Sequence, residues 1–226
     1  DLTRTPLDTG DEQKFTISFW VKRSTISSRQ VLFSTINSAG NDSDFLEFKS
    51  DDTLRATGNN GSASLQYQLI TSALFRDASA WYNIVVKFNG TSGSTELKIY
   101  INGVDQALTV VNSFTAHQSL IANSNAHYIG NSYNYVRDMA GYMAEVNLID
   151  GTALDADSFG ETKSGMWVPK DTSGLTFGDN GFRLQFKQTG TSQNASGIGA
   201  DTSGATTHFA VTNLVASDSN MPDCPE

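Results

Sequence analysis

Between two strand-like stretches lies Asn131-Ser132-Tyr133-Asn134-Tyr135-Val136-Arg137-Asp138, the segment best supplied for holding a sugar. A sugar presents an apolar C–H face and a rim of hydroxyls, so its site needs an aromatic ring and hydrogen-bonding side chains at one place. Tyr133 and Tyr135 supply rings; Asn131, Arg137 and Asp138 supply polar contacts. The competing reading is that both tyrosines pack on the rim of the fold, because tyrosine is intermediate in burial.

Other chemistry is less well provided for. His117, His127 and His208 stand far apart, with no acidic or Cys ligand at zinc spacing, and read as loop histidines. No G-x-S-x-G turn occurs, and no histidine can be tied to a nucleophile. Cys224, the one cysteine, permits neither an internal disulfide nor a zinc cluster; it reads as an exposed thiol, with an intermolecular bridge as the lesser alternative. Asn41-Asp42-Ser43-Asp44 and Asp51-Asp52 offer the hard oxygens that calcium prefers, without EF-hand periodicity. Calcium is therefore the one cofactor left open. Fifteen basic against twenty-four acidic residues give a net charge of -9, which repels a phosphate backbone and argues against nucleic acid. No apolar run approaches the roughly 20 residues that cross a bilayer as a helix.

The elements that must position these residues are strands. With 226 residues, 38% hydrophobic and 17% charged, the chain has the material of one large all-β domain. Phe15, Ile17, Phe19 and Val21 alternate with Thr16, Ser18, Trp20 and Lys22, and Trp20 on the second face says that this face is covered too. Tyr82, Ile84, Val86 and Phe88 form the next clear alternation and Leu97, Ile99 and Ile101 its partner across a Gly-Ser turn, which predicts an antiparallel hairpin. Further strands are expected over 30–36, 44–49, 126–130, 141–148, 182–186 and 208–214, and two more within 54–69. Only 152–160 carries helix-start chemistry, enough for a single turn. Trp20 and Trp81 are expected in the core, and Trp167 is expected to pin the C-terminal third. Many short strands at regular spacing imply a β-sandwich or barrel.

Five runs, FTISFWVKR from Phe15, WYNIVVKFNG from Trp81, LKIYINGV from Leu97, YIGN from Tyr128 and GYMAEVNLIDGTAL from Gly141, resemble the concanavalin A-like lectin/glucanase superfamily, in particular its laminin-G-like jelly rolls. That resemblance implies an all-β, two-sheet antiparallel jelly-roll β-sandwich with at most one or two short helical turns. The opening LTRTPLDTGDEQKFTISFWVKRS and the runs AEVNLIDGTALDADSFGETKSGMWVPK, GDNGFRLQF and HFAVTNLVASDSNMPDCPE are similar to virion proteins of marine tailed bacteriophages. Such relatives carry Asn-Asp-Trp where this chain has Thr207-His208-Phe209, which loses one aromatic.

The resemblance implies one domain over 1–226, a piece of a longer chain, with 167–226 as a C-terminal extension packed on it. It implies a virion module, a fibre, spike or capsid-surface appendage displayed on the particle surface, and no particular ligand; with the aromatic loop and the lack of a catalytic acid pair, the expectation is a non-enzymatic module that attaches to host-surface glycan or to other virion subunits, with a homo-oligomer left open. The alternatives are a purely structural virion protein and a polysaccharide-active enzyme. A glucanase of this superfamily would place its two carboxylates on one strand as E-x-D-x-x-E, about 5–5.5 Å apart for retaining chemistry. No such spacing occurs, and the nearest strand acid, Glu145, reads as an edge acid or the partner of a nearby base. Laminin-G-like domains often bind calcium through one or two Asp side chains and loop carbonyls, which keeps that cation in view.

Overall fold

The computed structural model describes all residues except 38, 41–42, 60–64, 92–93, 113–120, 122, 134–136, 220–224 and 226. Tyr135, His117, Asn41, Asp42 and Cys224 lie outside the described residues. Numbered in chain order, the strands of the first sheet are, in spatial order, β10 (Leu108–Asn112), β6 (Leu65–Thr71), β5 (Leu54–Asn59), β4 (Ser43–Phe48), β3 (Gln30–Ile36), β11 (Ala126–Ile129), β1 (Leu2–Arg4) and β16 (Ala210–Val211). The second sheet runs β15 (Phe182–Leu184), β12 (Gly141–Asp150), β2 (Lys14–Arg23), β7 (Tyr82–Thr91), β8 (Ser94–Ile101) and β9 (Val104–Asp105). A two-stranded ribbon of β13 (Gly160–Lys163) and β14 (Met166–Pro169) stands apart. Neighbouring strands pair antiparallel, and among the described residues helix is confined to 3-10 turns such as Ala156–Ser158 and Ala216–Ser219. The all-β sandwich expected from the alternation is the observed fold.

The long hairpin forms because its apolar residues fall on one face: Val86 pairs with Ile17 and Ile99, and Ile84 with Phe19 and Ile101. Phe19, Ile84, Val86, Ile99 and Val146 all enter one buried cluster with Phe33, Leu46 and Ile129 of the opposite sheet. A one-residue slip would turn the whole set outward. Replacing Ile84 or Ile99, each 0% exposed, by alanine is expected to cost about 2–5 kcal/mol in chemical denaturation.

The second face of the six-stranded sheet is covered, as Trp20 foretold. Val85, Tyr100 and Ile149 pack beneath Ala156, Phe159 and Phe177, with Trp167 laid against them. The Trp167 indole donates to Asn83 Oδ1 at 3.0 Å, so it pins the covering segment to the sheet. Trp81 differs from expectation: one residue before β7, it is only half-buried.

The C-terminal third is built into both sheets. β15 pairs with β12, and β16 with β1. Phe182, Leu184, Ile198 and Phe209 enter the central cluster. Two strands are shorter than their alternation suggests. β15 ends at Leu184 because Phe186 adopts φ +56, and β16 is limited by Asn213 at φ +58 and by Phe209, whose N–H turns to Gly199.

A row of polar side chains also faces inward across the eight-stranded sheet: Arg4, His127, Thr35, Asp44 and Tyr67, each buried. The Tyr67 hydroxyl donates to Asp44 Oδ1 at 3.0 Å. Arg4 donates to Thr207 Oγ1 at 2.5 Å and to the Asn180 carbonyl, and its guanidinium lies 4.6 Å from the Phe182 ring centre and 5.1 Å from that of Phe209. Burial pulls its pKa down to about 10, against Asp201 and Asp150. It stays a cation at neutral pH.

Candidate functional site

The 131–138 loop leaves the end of β11 and returns as β12. Gly130, at φ +77, turns the chain out of the sheet, a conformation that suits glycine. Backbone hydrogen bonds then close the neck: Met139 N–H to the Gly130 carbonyl at 2.8 Å, and Val31 N–H to the Arg137 carbonyl at 2.9 Å. Asn131 braces the turn. Its amide donates to Asp1 Oδ2 at 2.7 Å, its Oδ1 accepts the Ser132 N–H, and its carbonyl accepts from the Ser34 hydroxyl. The structure thus turns Asn131 inward to hold the loop.

Tyr133 is 55% exposed. Its ring stands 6.0 Å from that of Tyr128, tilted by 44°. Burial, then the neighbouring Tyr133, raises the Tyr128 phenol above its ordinary pKa, so the Tyr128 hydroxyl remains a neutral donor. Arg137 is half-buried at the neck, and Asp138 is exposed beside it. One loop therefore carries an open aromatic surface and two polar residues of opposite charge. Tyr128 is an addition to the expected set. Its signal was the alternation in His127-Tyr128-Ile129, which points Tyr128 away from the core while its neighbours point in.

The calcium candidates do not converge. Asp44 faces the interior under Tyr67, Asp51 pairs with Lys49 at 2.6 Å, and Asp52 pairs with Arg23 at 3.0 Å and Arg76 at 3.1 Å. Among the described residues, no three His, Cys, Asp or Glu side chains gather as a metal cage. Of the two described histidines, His208 lies in irregular backbone as expected and His127 departs from expectation. His127 is not in a loop but fully buried in β11, between the rings of Phe33 and Phe182. His208 Nδ1 accepts the Asp201 N–H at 3.0 Å.

Glu145 sits in a bulge of β12, between Ala144 and Asn147, at φ +46. The bulge explains a break in the alternation: Met143 and Val146 both pack on the core, which regular pleating forbids, and Glu145 is the extra residue. Its carboxylate lies 3.8 Å from Arg183 Nη2, so the nearby base expected for it is Arg183. Asp171 approaches the same nitrogen at 3.1 Å. The Ser173 N–H and hydroxyl hold the Asp171 carboxyl below the ordinary carboxylate range. It is thus unsuited to be the proton donor that glycoside hydrolysis requires.

Two antiparallel sheets face to face, one wrapped by a C-terminal segment and bearing an aromatic loop at its end, define a lectin-type β-sandwich. Residues 2–158 match the laminin-G model of the concanavalin A-like lectin/glucanases superfamily, and the chain belongs to that superfamily. No curated protein matches it. Among solved structures, a "putative carbohydrate binding protein" from Bacteroides ovatus is similar at 14% identity and TM-score 0.62, over 92% of this chain and 54% of that one. This chain therefore spans about half of that protein. A pentraxin from Limulus polyphemus is similar at 16% identity and TM-score 0.49, over 68% and 70%. Domains LG4-5 of mouse laminin alpha1 are similar at 10% identity and TM-score 0.47, over 84% and 47%. At 14% identity, the likeness to the Bacteroides protein speaks to the fold.

Proposed function

We propose that the chain is a non-enzymatic glycan-binding module whose ligand face is the 131–138 loop. The observation that carries this is Tyr133, a large ring left open on a loop whose neck is fixed by backbone hydrogen bonds. A sugar's C–H face stacks on that ring, with Tyr128 behind it. Arg137 donates to ring or hydroxyl oxygens, and Asp138 accepts from hydroxyls. Tyr135, outside the described residues, is the second ring that the loop's sequence offers. Membership of a lectin-type superfamily supports the reading, as does the likeness to a carbohydrate-binding protein of Bacteroides ovatus.

The setting proposed is the surface of a virion, in a fibre, spike or capsid-surface appendage that attaches to host-surface glycan and contacts other virion subunits. Its support is the likeness of the C-terminal runs to phage virion proteins, together with a net charge of -9 that keeps a displayed module soluble at high copy number.

A glycan array probed with the 226-residue chain tests the function, and binding to a defined set of glycans, competed by the free sugar, is expected. An array without signal favours a purely structural subunit. Release of reducing sugar from algal glucans favours an enzyme.

A further inference from the structure

A different set of residues lines an open cleft of about 520 Å3 on the outer face of the six-stranded sheet. Its floor is Glu145 of β12 with Arg183 of β15 and Gln185 just past the end of that strand, and its wall is the covering segment from Pro169 to Ser173. Lys170 and Lys187, both exposed, stand at its rim. The volume falls within the roughly 300–1,000 Å3 of small-molecule sites.

Three features make this more than a solvated charge cluster. First, Arg183 is held in place: its side chain is 10% exposed, and its Nη2 faces Asp171 at 3.1 Å and Glu145 at 3.8 Å. Oriented with its oxygen toward the cations, the Gln185 amide meets Arg183 Nη2 at 3.1 Å and Lys187 Nζ at 3.2 Å. Second, Asp171 is 74% exposed, so an incoming anion can take its place on the guanidinium without disturbing the interior. Third, Glu145 is kept at φ +46, a strained setting for a residue other than glycine. Such strain collects where a bulge re-aims a side chain at a site.

We infer that this cleft is a second ligand site, for a saccharide bearing a carboxylate or sulfate group among its hydroxyls. Arg183, Lys170 and Lys187 give three cations for the anionic group, in a chain that is acidic overall. Glu145 and Asp171 repel a bare polyanion, but they accept hydrogen bonds from hydroxyls, as Gln185 and Ser173 do. One negative group surrounded by hydroxyls is the ligand that satisfies both halves of the lining.

Calorimetric titration of the 226-residue chain with a galactan trisaccharide carrying a single galacturonate residue, a monosulfated galactan trisaccharide, a neutral galactan trisaccharide and inorganic sulfate tests this. An acidic trisaccharide is expected to bind at least about tenfold more tightly than the neutral one, and the tighter of the two acidic probes identifies the anion. Lys170→Glu with Lys187→Glu, both surface changes, should weaken that binding at least about tenfold while leaving the melting temperature in place. Tyr133→Ala with Tyr135→Ala should leave it unchanged, which separates this site from the loop. Equal affinity for the neutral trisaccharide, unchanged affinity in the double lysine variant, no heat with any acidic saccharide, or inorganic sulfate binding as tightly as the sulfated sugar would each overturn the inference.

Discussion

A chain ending at Lys170 is expected to lose cooperative unfolding altogether. The deletion takes Phe177, Phe182, Leu184, Ile198 and Phe209, all buried, with strands β15 and β16. At about 1.5–3 kcal/mol for each large apolar side chain, the loss rivals the 5–15 kcal/mol of a whole domain. It also strips Arg4 of the Asn180 carbonyl, the Thr207 hydroxyl and two aromatic faces, leaving a buried guanidinium with few partners. That side chain would then oppose folding. We therefore propose that residues 1–226 form one cooperative unit with 167–226 packed on it. Thermal unfolding followed by circular dichroism checks this: a sharp transition for the parent and a broad, featureless one for the truncated chain. An unchanged midpoint after truncation would contradict it.

The second large effect is acid sensitivity centred on His127. His127 is completely buried, and the Ile121 backbone is the group whose hydrogen bond favours its charged form. Burial, then the Arg4 cation, pushes its pKa well below 6.5, with the Ile121 backbone opposing. The folded state thus keeps His127 neutral at a pH where the unfolded chain has protonated it. Stability is complete above about pH 6.5 and falls below it by up to about 1.4 kcal/mol per pH unit, until the depressed folded pKa is reached. His127→Leu should remove that component. Over pH 6.5 to 4.5, urea denaturation is expected to show the parent losing stability more steeply than the variant as the pH falls. Parallel pH profiles would show that His127 titrates alike in both states.

What could be read from the sequence divides along physical lines. β2, β7 and β8 were legible because each is long, with one apolar and one mixed face, so Ile17, Val86 and Ile99 announce a shared core. β1 and β16 were not legible as a pair: three and two residues cannot show a period, and the pairing joins Leu2 to Val211. The Arg4 network was hidden for the same reason, since its partners lie 176 and 203 residues away. The site loop was visible through its residue types, whereas Asn131's inward role depends on Asp1, which no local pattern connects to it. Glu145 could have been placed from the phase break between Met143 and Val146. Its meeting with Arg183 could not, because it depends on β15 pairing beside β12 in a register that no local pattern sets.

Paired binding and melting on one variant, Tyr133→Ala with Tyr135→Ala, test the glycan-binding role most directly. Tyr133 is more than half exposed, so truncating it should shift stability by no more than about 0.5 kcal/mol, while removing the ring a sugar would stack on. Glycan or host-cell binding is expected to fall by at least about tenfold at an unchanged melting temperature. A variant that melts early, beside a parent that binds no glycan, would contradict the role and assign these tyrosines to the fold.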